Sequence, residues 1–234
     1  MKRDLLYSGK AKNIYSTDDP SLCVLEHRDD ATALNGLKKG SFEDKGVLNN
    51  TISAQIFELL AENGVPTHFV KKLSDRETLA KVVKIIPLEV IIRNVAAGSF
   101  SKKYGVEEGS ALKSVVLEYS LKDDDLGDPL INDSHILALG IATAEQLDTI
   151  ARYTLRVNEL LRAFFLDCNL ILVDFKIEFG TTEDGEILLA DEFSPDSCRL
   201  WDKNTGEKMD KDRFRRDMGG FAEAYKEVLR RMKE

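Results

Sequence analysis

A dense group of charged residues follows a leucine-rich segment in the carboxyl-terminal part of the chain. The stretch LADEFSPDSCR, residues 189–199, contains Asp191, Glu192, Asp196 and Arg199. Carboxylates bind divalent cations, and the guanidinium fork of arginine binds carboxylates or phosphates through two parallel hydrogen bonds. An ordinary loop has no need for this density of charge directly after a buried strand, so the stretch predicts a functional site.

The residues before this stretch predict a β-hairpin that leads into it. Polar and apolar side chains alternate in ILVDFKIEFG, residues 171–180, as they do along a strand with one polar face. The residues of the polar face are Asp174, Lys176 and Glu178. Asp184-Gly185 is a favoured pair for a two-residue hairpin turn, and this turn would place Glu178 directly opposite Asp191.

Two carboxylates at directly opposed positions of a hairpin repel each other. A magnesium ion between Glu178 and Asp191 would offset the repulsion, because magnesium takes one or two protein carboxylates and completes its shell with water and phosphate oxygens. A raised pKa of one acid, a salt bridge to Lys176, or a longer turn that lets both acids reach water would also offset it. The residues by themselves leave these alternatives open.

A glycine-lysine turn near the amino-terminal end predicts contacts with phosphate. In SGKAK, residues 8–12, Gly9 allows a tight turn, and Lys10 and Lys12 lie on either side of Ala11. Such a turn brings backbone amides close to phosphate, and the lysines add positive charge. A basic edge strand that resists aggregation is the alternative. With a carboxylate pair for magnesium, the turn forms the minimum set for nucleotide-driven phosphoryl transfer.

A third cluster, RNVAAGS, spans residues 93–99. It places Arg93 at the end of an apolar strand, followed by small residues and the hydroxyl of Ser99. A guanidinium group, free backbone amides and a hydroxyl suit a carboxylate or a phosphate. The alternative is a salt bridge between Arg93 and one of the acidic runs. Arg199 offers a second guanidinium group directly after the predicted metal strand.

The elements that must position these clusters follow an α+β pattern. Short strands and turns surround one helix over residues 1–86, which predicts a small amino-terminal lobe with an antiparallel sheet. Pro87 interrupts an apolar run and marks the boundary to a larger α+β lobe, residues 87–234. A kink within one domain is the alternative interpretation of Pro87.

Two helices are predicted with defined ends. Residues 41–64 predict a helix for which Ser41 and Asp44 are the candidate caps. Residues 143–169 predict a longer helix, which begins at a capping box formed by Thr143–Gln146. The apolar face predicted for the longer helix consists of Leu147, Ile150, Leu155, Leu160, Leu161, Phe164 and Phe165.

The composition argues against several function classes. The 234 residues carry a formal net charge of -8, whereas general nucleic-acid binding needs a net basic face. No apolar run approaches the ~20 residues that span a bilayer, so neither nucleic acid nor a membrane is an expected partner. The pairs Lys71-Lys72 and Lys102-Lys103 are interpreted as solvated surface. Cys23, Cys168 and Cys198 follow no metal or disulfide spacing, and no signal-peptide pattern is present, so the expected compartment is the cytoplasm.

In the order and content of its motifs the sequence resembles the SAICAR synthetase family, and the resemblance spans essentially the full chain. The most specific motifs are RNVAAGS (93–99) and DEFSPDSCRLWD (191–202). The others are GKAKNIY (9–15), DDATALNG (29–36), KKGSFEDKG (38–46), LILVDFKIEFG (170–180) and KMDKDRFRRDMGG (208–220).

The resemblance implies a two-lobe SAICAR synthetase-like fold, related to ATP-grasp and kinase-like enzymes, with the nucleotide between the lobes. It implies a ligase of purine biosynthesis that uses ATP and Mg²⁺. Such an enzyme phosphorylates the carboxylate of 5-amino-1-(5-phospho-D-ribosyl)imidazole-4-carboxylate (CAIR), and the amine of L-aspartate then displaces phosphate to give SAICAR. The resemblance also implies a homo-oligomer, expected to be a dimer.

The resemblance assigns roles to the clusters as well. The implied ATP-binding residues are Gly9, Lys10, Ala11 and Lys12 at the phosphates and Lys84, Ile85 and Ile86 at the adenine. The implied metal ligands are Glu178 and Asp191. The implied catalytic residues are Asp191 together with Lys176 and Asp174, which would lie beside the reacting carboxylate. The implied substrate-binding residues are Arg93, Ser99, Arg199 and Asp196, the last also ordering the turn that carries Arg199.

Two other function classes use some of the same residues. An ATP-dependent small-molecule kinase would need the lysines and the metal pair but would stop at a phosphorylated product, so dependence on aspartate distinguishes it. A non-catalytic nucleotide-binding module would bind ATP without turnover, and the intact pair of Glu178 and Asp191 argues against it. Neither class accounts for RNVAAGS and DEFSPDSCRLWD together.

Overall fold

A computed structural model of the chain describes residues 1–33 and 38–233 and has an α+β architecture. The strands are β1 (Leu5–Ser8), β2 (Lys12–Ser16), β3 (Leu22–His27), β4 (Asp30–Ala33), β5 (Lys38–Ser41), β6 (Phe69–Lys72), β7 (Glu77–Lys81), β8 (Lys84–Ile85), β9 (Leu88–Val95), β10 (Ala111–Leu121), β11 (Leu130–Ile131), β12 (Leu170–Thr181), β13 (Ile187–Ala190) and β14 (Cys198–Asp202). The helices are α1 (Lys45–Glu62), α2 (Gly98–Tyr104), α3 (Asp133–Ala138), α4 (Ala144–Asp167), α5 (Asp212–Arg215) and α6 (Phe221–Arg231). Within the described ranges, no helix is both long and apolar enough to cross a bilayer. The motif DDATALNG extends into residues 34–37, which lie outside the described residues.

The strands form two main sheets and one small hairpin. The first sheet has five strands in the order β1-β2-β3-β7-β6, and the hairpin pairs β4 with β5. The second sheet has seven strands, with the order β11-β10-β9-β12-β13 and with β8 and β14 also paired to β12. The chain passes from the first sheet to the second between Lys81 and Lys84. The division into lobes at residues 86 and 87 stays a prediction.

The main hydrophobic core packs against β12, the central strand of the second sheet. The predicted alternation is confirmed, because Phe175, Ile177 and Phe179 are at most 2% exposed and belong to this core. Burial of such a side chain contributes about 1.5–3 kcal/mol to folding. The core therefore fixes one face of β12 and leaves the opposite face to polar residues.

Helix α4 covers this core and begins as predicted. The side chain of Thr143 accepts a hydrogen bond from the amide of Gln146 at 3.2 Å, and the side chain of Gln146 accepts one from the amide of Thr143 at 2.9 Å. The placement of Leu155 on the apolar face is wrong, because its side chain is 49% exposed. Leu155 follows the fully buried Ile150 by five residues, which is about 140° around the helix.

Helix α1 is present as predicted, but its cap is not the predicted one. Ser41 belongs to β5, and Asp44 at the N-cap position makes no side-chain cap hydrogen bond. Instead, the carboxylate of Asp29 accepts a hydrogen bond from the amide of Gly46 at 2.9 Å and two from Arg76 at 2.7 and 3.0 Å. A distant acid therefore satisfies the first turn of the helix and ties it to the first sheet.

Candidate active site

One face of the second sheet carries the charged residues of two predicted clusters. β9 and β12 are antiparallel neighbours whose register pairs Arg93 with Asp174. Because side chains alternate along a strand, Lys176 and Glu178 follow on the same face of β12, and Glu89 shares the face of Arg93 on β9. Four residues separate Glu89 from Arg93, about 13 Å along the strand. The face therefore runs from an arginine end to a lysine and carboxylate end.

At the arginine end, the carboxylate of Asp174 bridges two guanidinium groups. Its Oδ2 accepts hydrogen bonds from Nη1 of Arg93 at 2.8 Å and from Nη1 of Arg199 at 2.7 Å. Each arginine also forms hydrogen bonds with a second acidic residue. Glu118 accepts from Nε and Nη2 of Arg93 at 2.9 and 2.7 Å, and Asp212 accepts from Nε of Arg199 at 3.0 Å. The buried Asp174 therefore sets the spacing of the two arginines.

The two arginines differ in the donors that remain for a ligand. A guanidinium group has five N–H donors. Arg93 directs four of them at its two acids and at Ser99, whose Oγ accepts from Nη2 at 3.1 Å. Arg199 directs only two at residues that the structure describes. Its Nη2 lies against Gly98, where φ is +54° and any Cβ would collide with the guanidinium group.

A cavity of about 310 Å³ lies beside Arg93. Its walls include Glu89 and Arg93 from β9, Glu118 from β10, and Ser99 and Lys103 from α2. Both acids and bases line it, and its volume lies at the lower end of the range for small-molecule sites. The cavity therefore suits a small polar molecule that carries charge at more than one position.

Lys176 occupies the middle of the polar face of β12. Its Nζ is hydrogen-bonded to Glu89 and lies 3.8 Å from Oε1 of Glu178. Burial lowers the pKa of Lys176, but the charges of Glu89 and Glu178 outweigh burial and raise the pKa above its usual value. Lys176 is therefore a charged donor at neutral pH.

The hairpin of β12 and β13 has a different register from the predicted one. Glu178 pairs with Ala190 and not with Asp191. The amide of Thr182 donates to the carbonyl of Glu186 at 3.0 Å, which closes a turn of three residues, 183–185, in place of two. The last of them is a glycine with φ of 88°. Three-residue turns of this kind place a glycine at the left-handed position, and the added residue shifts the pairing by one.

The two acids nevertheless lie close enough to interact. Asp191 follows β13 directly with a left-handed φ of 63°, so the strand ends before it. Burial and the charge of Asp191 raise the pKa of Glu178. Burial would also raise the pKa of Asp191, but Lys12 outweighs it and holds that pKa well below its usual range. Lys122 is hydrogen-bonded to Glu178, and the described residues contain no group of three or more metal-binding side chains.

The glycine-lysine turn reaches this carboxylate pair from the first sheet. The amide of Gly9 donates to the carbonyl of Lys12 at 2.7 Å, which closes the turn around Lys10 and Ala11. Nζ of Lys12 is hydrogen-bonded to Asp191. The structure therefore brings together the predicted phosphate turn and one of the predicted metal ligands.

Three further contacts surround this turn. Nζ of Lys10 lies 2.6 Å from Asp124, and both side chains are exposed. Glu192 lies 3.9 Å from Nζ of Lys12 and 3.4 Å from Nδ1 of His27. Lys12 is therefore held between two carboxylates, whereas Lys10 has one exposed partner that solvent screens.

The segment predicted to line adenine runs along the same central strand. Lys84 and Ile85 form β8, in which Ile85 pairs with Gly180 of β12. The amide of Ile86 donates to the carbonyl of Phe179 at 2.9 Å, and the Ile86 side chain is buried. The three residues therefore lie next to the part of β12 that carries Glu178, while their contact with adenine stays a prediction.

Asp196 lies apart from the cavity. Its buried carboxylate is 2.6 Å from Nζ of Lys45 and accepts hydrogen bonds from Asn49 at 3.0 Å and Tyr225 at 2.6 Å. Nζ of Lys211 is a further 3.9 Å contact. Asp196 thus ties the turn before β14 to α1 and α6, and its predicted contact with substrate stays a prediction.

Several charged residues of the site, among them Glu89 beside Lys176, were missed or misassigned from the sequence. Glu118 and Asp212 hold the two arginines, and Lys122 holds Glu178. Lys103, interpreted as solvated surface, lines the cavity. Each is a common charged residue in an unremarkable stretch, so only its partner across the fold reveals it.

Comparison with known proteins agrees with this fold. The family model for SAICAR synthetase matches residues 5–232. A phosphoribosylaminoimidazole-succinocarboxamide synthase of Clostridium acetobutylicum is 61% identical over 99% of this chain and 98% of its own length. A crystal structure of the synthase from Ehrlichia chaffeensis superposes with a TM-score of 0.96 at 41% identity, covering 98% of both chains. A SAICAR synthetase in complex with ADP superposes with a TM-score of 0.94 at 43% identity, covering 97% of this chain and 96% of that one.

These matches and the α+β fold place the protein among the ligases. The chain belongs to the SAICAR synthetase family.

Proposed function

We propose that this ligase joins L-aspartate to the carboxylate of CAIR, with ATP and Mg²⁺, and releases SAICAR, ADP and phosphate. One observation carries the proposal. A single sheet face holds two arginines at one end and Lys176 beside a carboxylate pair at the other, and the glycine-lysine turn meets that pair. A substrate with a phosphate and a carboxylate at opposite ends matches this face.

The arginine end binds the phosphate of the imidazole nucleotide in this proposal. Arg199 supplies its free N–H donors, and Arg93 and Ser99 complete the wall. Asp174 acts through the two arginines, since its carboxylate is occupied by both. The same contacts make Asp174 a positioning residue more readily than a group beside the reacting carboxylate.

The opposite end carries the chemistry. A carboxylate is a poor electrophile, so its oxygen must first take a phosphoryl group from ATP to become a leaving group. Lys12 and Lys10 hold the phosphates of ATP, and Lys176 neutralises the substrate carboxylate as its oxygen attacks. The amine of aspartate then forms the C–N bond, the C–O bond to phosphate breaks, and the amine loses a proton. The protein contributes mainly positioning and charge neutralisation.

The residues at the acid pair fit a magnesium ion. The carboxylate of Glu178 is buried, that of Asp191 is 30% exposed, and the two repel each other. In the part of the chain that the structure describes, lysine side chains offset their charge. Two protein carboxylates plus water and phosphate oxygens are a usual ligand set for magnesium. When bound, the ion would neutralise charge on the phosphoryl group that is transferred.

Further assignments belong to the same proposal. ATP lies between an amino-terminal lobe, residues 1–86, and a carboxyl-terminal lobe, with Lys84, Ile85 and Ile86 along the adenine. The enzyme is a cytoplasmic homodimer. Its cysteines support a reducing compartment, since Cys23, Cys168 and Cys198 are all free thiols.

The proposal is tested by phosphate release from ATP in the presence of Mg²⁺, CAIR and L-aspartate, with each component omitted in turn. We expect release to require all four, with ADP and SAICAR formed in equal amounts. Release that persists without aspartate would indicate a small-molecule kinase. Release under no combination would leave only a nucleotide-binding module.

A pair of variants in one hairpin controls the experiment. Glu178→Gln removes one acid of the proposed metal pair, and we expect it to abolish release. Glu186→Gln changes an acid with a half-exposed side chain, 3.8 Å from Lys81, and should leave the rate within twofold of wild type. Equal rates for the two variants would remove Glu178 from the site.

A further inference from the structure

We propose that Lys103 is a further substrate-binding residue and contacts the phosphate of the imidazole nucleotide. The inference rests on the proposed function and adds a residue to it. The sequence alone gives Lys103 no role, since it stands in a lysine pair that resembles ordinary solvated surface. Its place in the fold gives it one.

The position of Lys103 on α2 directs it to the cavity. Ser99 and Lys103 are four residues apart on this helix, so they are neighbours on one helix face. Both residues line the cavity of about 310 Å³, together with Arg93 of β9. Lys102 precedes Lys103 directly but does not line the cavity. The two lysines of the pair are therefore distinct, and only one belongs to the site.

The charge of Lys103 is uncommitted, unlike that of the other bases nearby. Four of the five N–H donors of Arg93 are hydrogen-bonded to protein groups, and Lys176 is hydrogen-bonded to Glu89. Lys103 makes no hydrogen bond or ion pair with any residue in the ranges 1–33 and 38–233. A phosphate dianion at this wall needs more positive charge than Arg93 and Arg199 supply, because each guanidinium group is already paired with two acids. Lys103 can supply it without breaking an existing contact.

The distance between the two ends of the sheet face decides which substrate group Lys103 contacts. Glu89, beside Lys176, and Arg93, beside α2, are about 13 Å apart along β9. The carboxylate of CAIR must lie near Lys176 and the acid pair, because it reacts with ATP there. The phosphate is at the other end of the nucleotide, across the imidazole ring and the ribose. That end is the α2 wall, where Lys103 lies.

The test compares Lys103→Ala with the matched control Lys102→Ala in steady-state kinetics. We expect Lys103→Ala to raise the KM for CAIR about tenfold, as loss of one charge-assisted contact at a partly hydrated site. The kcat and the KM values for ATP and aspartate should stay within twofold of wild type. Lys102→Ala should leave all four constants within twofold. Lys103→Arg should recover most of the affinity for CAIR, since it restores the charge.

A substrate analogue shows whether the contact is with the phosphate. The riboside of CAIR, which lacks the phosphate, serves as a competitive inhibitor. Its inhibition constant should be the same for wild type and Lys103→Ala, because the group that Lys103 contacts is absent. An equal loss for nucleotide and riboside would overturn the assignment to phosphate.

Other outcomes overturn the inference separately from the proposed function. If wild type makes SAICAR but Lys103→Ala matches Lys102→Ala, the inference fails and the proposed function stands. A fall in kcat with an unchanged KM for CAIR would also contradict a binding role. If wild type makes no SAICAR under any condition, the proposed function fails and this inference fails with it.

Discussion

The bridge formed by Asp174 provides a direct test of how the two arginines are held. Asp174→Asn keeps the shape of the side chain and an oxygen that can accept both arginine hydrogen bonds, so it isolates the charge. The side chain of Asp174 is 4% exposed, and those of Arg93 and Arg199 are 8% and 14% exposed. Breaking a buried ion pair costs about 3–5 kcal/mol, because it leaves a buried charge uncompensated.

The expected loss for Asp174→Asn lies at the low end of that range. Arg93 keeps Glu118 as a partner and Arg199 keeps Asp212, so neither guanidinium group is left alone. We expect the free energy of unfolding to fall by about 3 kcal/mol. For a chain of this size the midpoint of thermal unfolding should fall by about 6–12 °C. We also expect a raised KM for CAIR, because the two like charges move apart.

Urea denaturation at pH 7, followed by circular dichroism, measures the loss. The matched control is Asp217→Asn, an acid with an 84% exposed side chain paired with Lys38 at 2.6 Å. Its effect should stay well under 1 kcal/mol, since solvent screens the pair. A loss below about 1 kcal/mol for Asp174→Asn, or one equal to that of the control, would refute the bridge as the element that holds the arginines.

Three further predictions concern Asp191, Arg199 and Glu108. Asp191→Asn should abolish turnover while the dissociation constant for ADP changes little, since the acid acts on the transferred phosphoryl group; near-wild-type kcat would contradict this. Arg199→Lys should raise the KM for CAIR at least about tenfold, because lysine lacks the second branch of the guanidinium fork. An unchanged KM would mean that Arg199 is not part of the substrate site. Arg216 holds the pKa of Glu108 at about 2, below its usual value, so the stabilisation is complete above about pH 4.5 and is lost as pH falls toward 2. Glu108→Gln should therefore cost about 1 kcal/mol at pH 7 and nothing near pH 2, which urea titrations across that pH range would measure.

Local patterns account for the elements that the sequence predicted well. The capping box at Thr143 and Gln146 needs only residues three apart, and the alternation of β12 needs only its own side chains. Both are determined within a few residues of chain. The structure also brings Arg93 and Arg199 together, because antiparallel pairing places their strands on either side of Asp174.

Contacts between distant segments decided what the sequence could not. One extra residue in the turn before β13 moved the partner of Glu178 from Asp191 to Ala190, although the local sequence favours the shorter turn. The cap of α1 comes from Asp29 and not from Asp44, because a left-handed backbone at Asp44 leaves the first turn to a distant acid.

The sequence by itself determined which residues are charged, which strands carry them and which side of each strand they occupy. The tertiary structure alone decided their partners, as it did for Asp174 between two arginines and for Lys122 at Glu178. The physical reason is range. Helix and strand periodicity is encoded within a few residues, whereas the environment of a buried charge depends on groups that approach it from other elements of the fold.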